Sequence, residues 1–183
     1  MSKKELKTNA MRLLDRLKIP YEYETYECDE FVSGVQTAEQ IGLPHEQVYK
    51  TLVTTGKSGE HYVFVIPIEK ELNLKEAAKA VHEKSVEMLH VKDITKVTGY
   101  VRGGCTAIGM KKQFPTVIDS SAKSLEEIYV SGGKIGMQLK LAPENFEKSC
   151  KCRVCRYYFS LKSGFTTLNL AVIMLNCGCT LHS

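Results

Sequence analysis

A chain of 183 residues, 43% hydrophobic and 25% charged, has the length and balance of one ordinary globular domain with a substantial core. Its longest apolar run, Leu170–Leu175, is six residues, against the ~20 that cross a bilayer, so no membrane span is expected. The formal net charge of +4 is uneven: past Glu147 there is no acid, and taking Lys148, Lys151, Arg153, Arg156 and Lys162 from 25 basic residues leaves 20 against 21 acidic ones in residues 1–147. A nucleic-acid reading of that body, at net −1, must rest on a local patch.

The opening segment, MSKKELKTNAMRLLDRL, is amphipathic and lacks a continuous apolar core. No secretory signal is expected, and the protein is read as cytoplasmic. Leu6, Ala10, Leu13, Leu14 and Leu17 recur at helical spacing, predicting a helix over Lys4–Lys18 ended by Pro20. Tyr21–Glu27 alternates as a strand with one wet face. Gln36–Leu43 reads as a short helix capped by Thr37, and Pro44 opens a further turn through Tyr49. Lys50–Thr55 and His61–Pro67 are β-rich and joined by a turn-forming loop, so a hairpin is predicted.

Asn73–His82 is a helix with Asn73 as cap and Leu74, Ala77, Ala78 and Val81 as its apolar stripe. Glu87–Val91 reads as a short strand and Asp93–Gly99 as a short helix. Tyr100–Gly109 is glycine-rich. Pro115–Ser121, Glu126–Gly133 and Gly136–Pro143 are three further strands, and Pro143–Lys148 starts a last helix. Interleaved helices and strands, with several strands in succession, predict a mixed α/β domain.

The cysteines divide as the charges do. Cys28 and Cys105 lie in the body, while Cys150, Cys152, Cys155, Cys177 and Cys179 crowd into the end of the chain. A boundary is therefore placed between residues 147 and 148. Cys152, Cys155, Cys177 and Cys179 could bind zinc, though the second pair is one residue closer than a zinc-ribbon knuckle. The rival reading is an anomalous segment, such as a frame-shifted end, with no fold of its own.

Lys50 is the first candidate site residue. It sits between Val48-Tyr49 and Leu52-Val53, where a charge either snorkels to solvent or lines a pocket. A lysine at a pocket mouth holds a phosphate, polarises a carbonyl or, desolvated, acts as a base. Arg102–Gly109, RGGCTAIG, is either a backbone cradle for an anion or carbonyl oxygen or a plain turn between strands. It has neither the ending of a Walker A loop nor the spacing of a dinucleotide fingerprint. Val130–Gly136, VSGGKIG, reads as a hairpin turn or as a site to which Lys134 adds charge. Cys105 has no histidine in a spaced motif with it and is read as an unreactive thiol. Tyr26, from spacing alone, is an ordinary strand aromatic.

Three segments in order, QVYKTLV, TGYVRGGCTAIGMKKQFPTVID and IYVSGGKIG, resemble the YbaK/EbsC family of aminoacyl-tRNA deacylases, close to the cysteinyl-tRNA(Pro) deacylases. The resemblance runs from residue 4 to about 147 and extends to the editing domain of bacterial prolyl-tRNA synthetases. It implies a curled mixed sheet or partial barrel surrounded by helices. It implies that Lys50 is required for activity and holds the tRNA 3′ end, and that Tyr26 and Gly103 line the pocket. Gly104 and Thr106 fall in the same motifs, and Gln138 lies two residues after the glycine that ends IYVSGGKIG. Two positions depart from the family pattern: Ala107 stands where proline is common, and Gln138 where aspartate is frequent.

No nucleophile–base pair and no body metal site is evident, and no cofactor is implied. For a cysteinyl ester the substrate's own thiol can attack the carbonyl, leaving the protein to bend and hold it. The implied partners are the 3′ end of a misacylated tRNA and a prolyl-tRNA synthetase. Three alternatives stay open: another misacylated tRNA, such as alanyl-tRNA(Pro), cleaved by activated water; a non-catalytic module binding a tRNA end or a synthetase; and a zinc-bound interaction tail.

Overall fold

The computed structural model describes residues 7–27, 34–40 and 42–150. Along the chain the elements are α1 (Asn9–Leu17), β1 (Glu22–Thr25), α2 (Gly34–Gln40), β2 (Tyr49–Gly56), β3 (His61–Pro67), α3 (Leu74–Ala80), β4 (Val86–Met88), α4 (Val91–Thr98), β5 (Thr116–Ile118), β6 (Ile128–Ser131), β7 (Met137–Leu141) and α5 (Pro143–Cys150).

The predicted hairpin is β2–β3, antiparallel from Tyr49 opposite Pro67 to Thr55 opposite His61. Along β3, Val63 and Val65 enter the main core, while Phe64 and Ile66 meet Ala77, Ala78 and Val81 around α3 on the other face. Burial on both faces explains why β3 is an apolar run rather than an alternating one. Asn73 caps α3 as expected, its Oδ1 accepting from Lys75 N at 3.1 Å and Glu76 N at 3.3 Å. β5 runs parallel to β3, and β4 pairs antiparallel with the end of β2, giving the order β4-β2-β3-β5.

The second sheet, β1-β7-β6, is antiparallel throughout. The turn 132–136 joins β6 to β7, so VSGGKIG does form a hairpin turn. α1 and α5 cover the core between the sheets with Ala10, Met11, Leu14 and Phe146. The expected mixed α/β domain is therefore observed, with its curled sheet divided in two and not closed. The sheets meet where Val48 bridges Tyr129 in the parallel sense. The start of β2 thus lies beside β6, whereas its end, from Thr54, pairs with β4.

Several predicted ends move for local reasons. α1 begins at Asn9, where the Thr8 hydroxyl accepts from Met11 N, and stops at Lys18, left-handed at φ 55°, two residues before Pro20. Its expected start at Lys4 lies outside the described residues. Thr37 falls inside α2, not at its cap. β4 ends at Met88 because Val91 is already the first residue of α4. β5 stops at Ile118 because Asp119 caps a following 3-10 turn, its carboxylate accepting from Ser121 N at 2.9 Å.

The composition change at residue 148 falls within α5. Ser149 and Cys150 are buried, and Gln113 Nε2 donates to the Cys150 carbonyl. Cys152, Cys155, Cys177 and Cys179 lie outside the described residues. Among the described residues, no helix is long and apolar enough to cross a membrane.

Candidate functional site

The divided edge of β2 opens a cavity of about 390 Å³. Tyr26, Lys50, Gly103 and Gln138, distant in sequence, all line it. Met88, Leu89, Val91 and Ile94 of the β4–α4 segment form an apolar wall. Strand parity explains the mixed lining. Tyr49 and Val53 point into the main core, Lys50 and Leu52 point to the opposite face, and a cavity along the edge meets both.

Lys50 is half-buried on β2, opposite Ile66. Burial pushes its ammonium below the ordinary lysine range, and the Glu71 carboxylate pulls it part of the way back. Among the described residues it makes no ion pair. A cation so placed is available to an anionic or carbonyl ligand.

Two glycines hold the wall opposite. Gly136 is at φ 78°, and a Cβ there would lie 2.6 Å from the Tyr26 carbonyl oxygen. Tyr26 N donates to the Gly136 carbonyl at 3.0 Å, so the end of β1 is seated on the β6–β7 turn. A Cβ on Gly104 would lie 2.8 Å from the Lys134 carbonyl carbon. The glycine-rich loop therefore packs backbone to backbone on the same turn. Gly103 is thereby presented to the cavity, while Gly104 supports it from behind.

Two polar atoms of the lining are buried without a hydrogen-bond partner: Gln138 Oε1 and Thr51 Oγ1. Buried polar groups are ordinarily paired, so each of the two carries an unmet hydrogen bond beside the cavity. Thr51, Ser131 and Arg102 also line the cavity; Arg102 and Ser131 fall within RGGCTAIG and VSGGKIG but were not named there individually. Thr51 looks like an ordinary strand residue, and no local pattern distinguishes it.

Thr106 is fully buried away from the cavity, its hydroxyl accepting from Ile108 N at 3.4 Å. It shapes the loop from within. Lys134 is exposed on the hairpin turn and does not line the cavity. Cys105 does line it, but burial pushes its thiol up to about 11. A thiol held protonated is a poor nucleophile. No histidine or carboxylate is found among the described lining residues.

Residues 31–149 match the model of the aminoacyl-tRNA editing domain, and the chain belongs to that family. It is 50% identical over 143 residues to a protein of Enterococcus faecalis (strain ATCC 700802 / V583) provisionally named Cys-tRNA(Pro)/Cys-tRNA(Cys) deacylase EbsC, covering 78% of this chain and 87% of that relative. Among solved structures, a protein provisionally described as a trans-editing enzyme for prolyl tRNA synthetase superposes with TM-score 0.71 at 20% identity, over 87% of this chain and 100% of its own. The hypothetical protein APE2540 superposes with TM-score 0.71 at 19% identity, over 79% of this chain and 95% of its own. At these identities the two structures establish the fold alone.

Proposed function

We propose that this chain is a trans-editing deacylase that removes cysteine from misacylated cysteinyl-tRNA(Pro). The observation that carries the reading is the gathering of Tyr26, Lys50, Gly103 and Gln138 on one cavity with two unsatisfied polar atoms. The activity named for the 50% identical relative supports the substrate.

In this reading Lys50 anchors the terminal nucleotide of the tRNA at the cavity mouth. Gln138 Oε1 and Thr51 Oγ1 accept from the aminoacyl ammonium group. Backbone N–H groups around Gly103 face the ester carbonyl and stabilise the oxyanion that develops there. The substrate sulfur attacks that carbonyl. A C–S bond forms, the C–O ester bond breaks, and the thiol proton ends on the ribose hydroxyl as the cysteine leaves as a thiolactone. No side chain acts as base, in keeping with the lining and with the protonated Cys105. Catalysis then comes from holding thiol and carbonyl in a reactive pose. A prolyl-tRNA synthetase is the expected supplier of the misacylated tRNA.

A panel of cysteine-, serine- and alanine-charged tRNA(Pro) tests this. Cysteinyl-tRNA(Pro) should be cleared and the serine-charged form, which lacks the thiol, largely spared. Cysteinyl-tRNA(Pro) surviving at the rate of the blank sinks the proposal. Equal clearance of the alanine-charged form replaces cyclisation by activated water.

A further inference from the structure

A second cavity of about 390 Å³ lies on the other side of the glycine-rich loop. Gly103 and Cys105 face the first cavity, and Ala107, Gly109 and Met110 face the second. Its opposite wall is α1, which contributes Asn9, Arg12 and Arg16. Arg12 and Arg16 are one helical turn apart, so their guanidinium groups share that face.

Both arginines are exposed, and among the described residues neither makes an ion pair. Arg12 donates to Asn9 Oδ1 at 3.1 Å, which turns it along the wall. Asp15, the acid on the same helix, is already taken by Lys7 at 2.6 Å and by the Tyr21 hydroxyl at 3.1 Å. The last turn of α5 brings carbonyl groups here, but Gln113 Nε2 serves that of Cys150. No Asp or Glu is found among the described residues that line the cavity. Lys111 and Lys112 lie exposed on the adjoining loop. Residues 1–147 carry 20 basic against 21 acidic side chains, so a body binding a polyanion must concentrate charge locally. This is such a place.

We propose that the α1–loop cavity binds a backbone phosphate of the tRNA, with Arg12 and Arg16 as its ligands. The inference rests on the deacylase reading for the identity of the polyanion. Guanidinium forks suit phosphate oxygens, and with no carboxylate bound to either arginine no ion pair is given up on binding. The shared loop places a second anchor beside the cavity that takes the 3′ end.

The test compares full-length wild type, Arg12→Ala/Arg16→Ala, Arg12→Lys/Arg16→Lys, and a control, Lys75→Ala/Lys79→Ala, that removes the same charge from α3. Uncharged tRNA(Pro) affinity is measured across a salt series. Loss of this one phosphate contact should flatten the slope of log affinity against log salt by about 1. The alanine variant should bind about tenfold or more weakly, the lysine variant should recover part of this, and the control should match wild type. Deacylation should show the loss in KM rather than in kcat. Wild-type affinity and slope in the alanine variant overturn the proposal. So does a loss that the control shares, or one that tracks a fall in Tm, because the arginines then serve net charge or the α5 end. Inorganic phosphate is titrated separately: saturation there with unchanged tRNA binding makes this a small-anion site and overturns the tRNA assignment. Because the readout is binding of uncharged tRNA, it stands or fails independently of whether the wild type cleaves cysteinyl-tRNA(Pro).

Discussion

Gln138 offers a sharp test because stability and function should move in opposite directions. Its side chain is 7% exposed on β7, and its Oε1 has no hydrogen-bond partner. A buried acceptor left unpaired costs about 1–3 kcal/mol. Gln138→Met keeps the length and approximate volume of the side chain and removes the acceptor. The ligand-free protein should therefore gain about 1 kcal/mol, or roughly 2–4 °C in Tm for a chain of this size. Urea unfolding should give a higher midpoint with an unchanged slope. In the proposed complex the same atom accepts from an ammonium group, a bond worth about 1.5–3 kcal/mol. Its loss should lower kcat/KM for cysteinyl-tRNA(Pro) by about tenfold or more, since 1.4 kcal/mol is about tenfold. A Gln138→Met protein that is less stable than wild type and equally active refutes both halves of the reasoning.

Lys50→Met should remove the cost of burying an ammonium and abolish deacylation. Because burial holds the folded-state pKa below the ordinary 10.5, the Lys50 contribution is complete above 10.5 and lost as pH falls through the lowered value, so stability rises with pH in that window. Across alkaline pH the stability of wild type should rise relative to that of Lys50→Met, on top of the fall that the raised Tyr49, Tyr100 and Cys105 groups impose on both proteins. Cys105, pushed up to about 11 by burial, should alkylate far more slowly than a free thiol near neutral pH, by peptide mapping, and Cys105→Ala should keep its activity. A dead Cys105→Ala enzyme would restore the nucleophile reading. Phe146 is fully buried in α5, so Phe146→Ala should cost about 3–5 kcal/mol in urea unfolding. A loss under about 1 kcal/mol would mean that α5 is not part of the core.

Element identity was largely legible because it follows from local spacing. The Asn73 cap, the β2–β3 hairpin and the α3 stripe at Ala77, Ala78 and Val81 each depend on residues a few positions apart and are observed, whereas Leu74, the first member of the expected stripe, is exposed. The ends were less legible, because they hang on single competing bonds. Asp119 turned from strand residue to cap, and Lys18 stopped α1 before Pro20 could. The boundary read from composition at residue 148 cuts α5, because charge and cysteine content do not register that Ser149 and Cys150 are buried.

For the site, the sequence by itself determined the residue types, the ordered motifs and the family to which they point. It left Lys50 between snorkelling and a pocket, and RGGCTAIG between a cradle and a turn. The tertiary structure puts Lys50 and Gly103 on one cavity, which no local pattern carries, because a strand's edge has no partner in sequence. The division of β2 between β6 and β4 opens the cavity beside Lys50 and brings in Gln138, Tyr26 and Thr51. The same packing separated residues that one motif had joined: Gly103 faces the cavity, Gly104 backs onto Lys134, and Thr106 is buried in the loop's interior. Neighbours in a motif share a segment of backbone, whereas neighbours in a site share a surface, and only long-range packing converts one into the other.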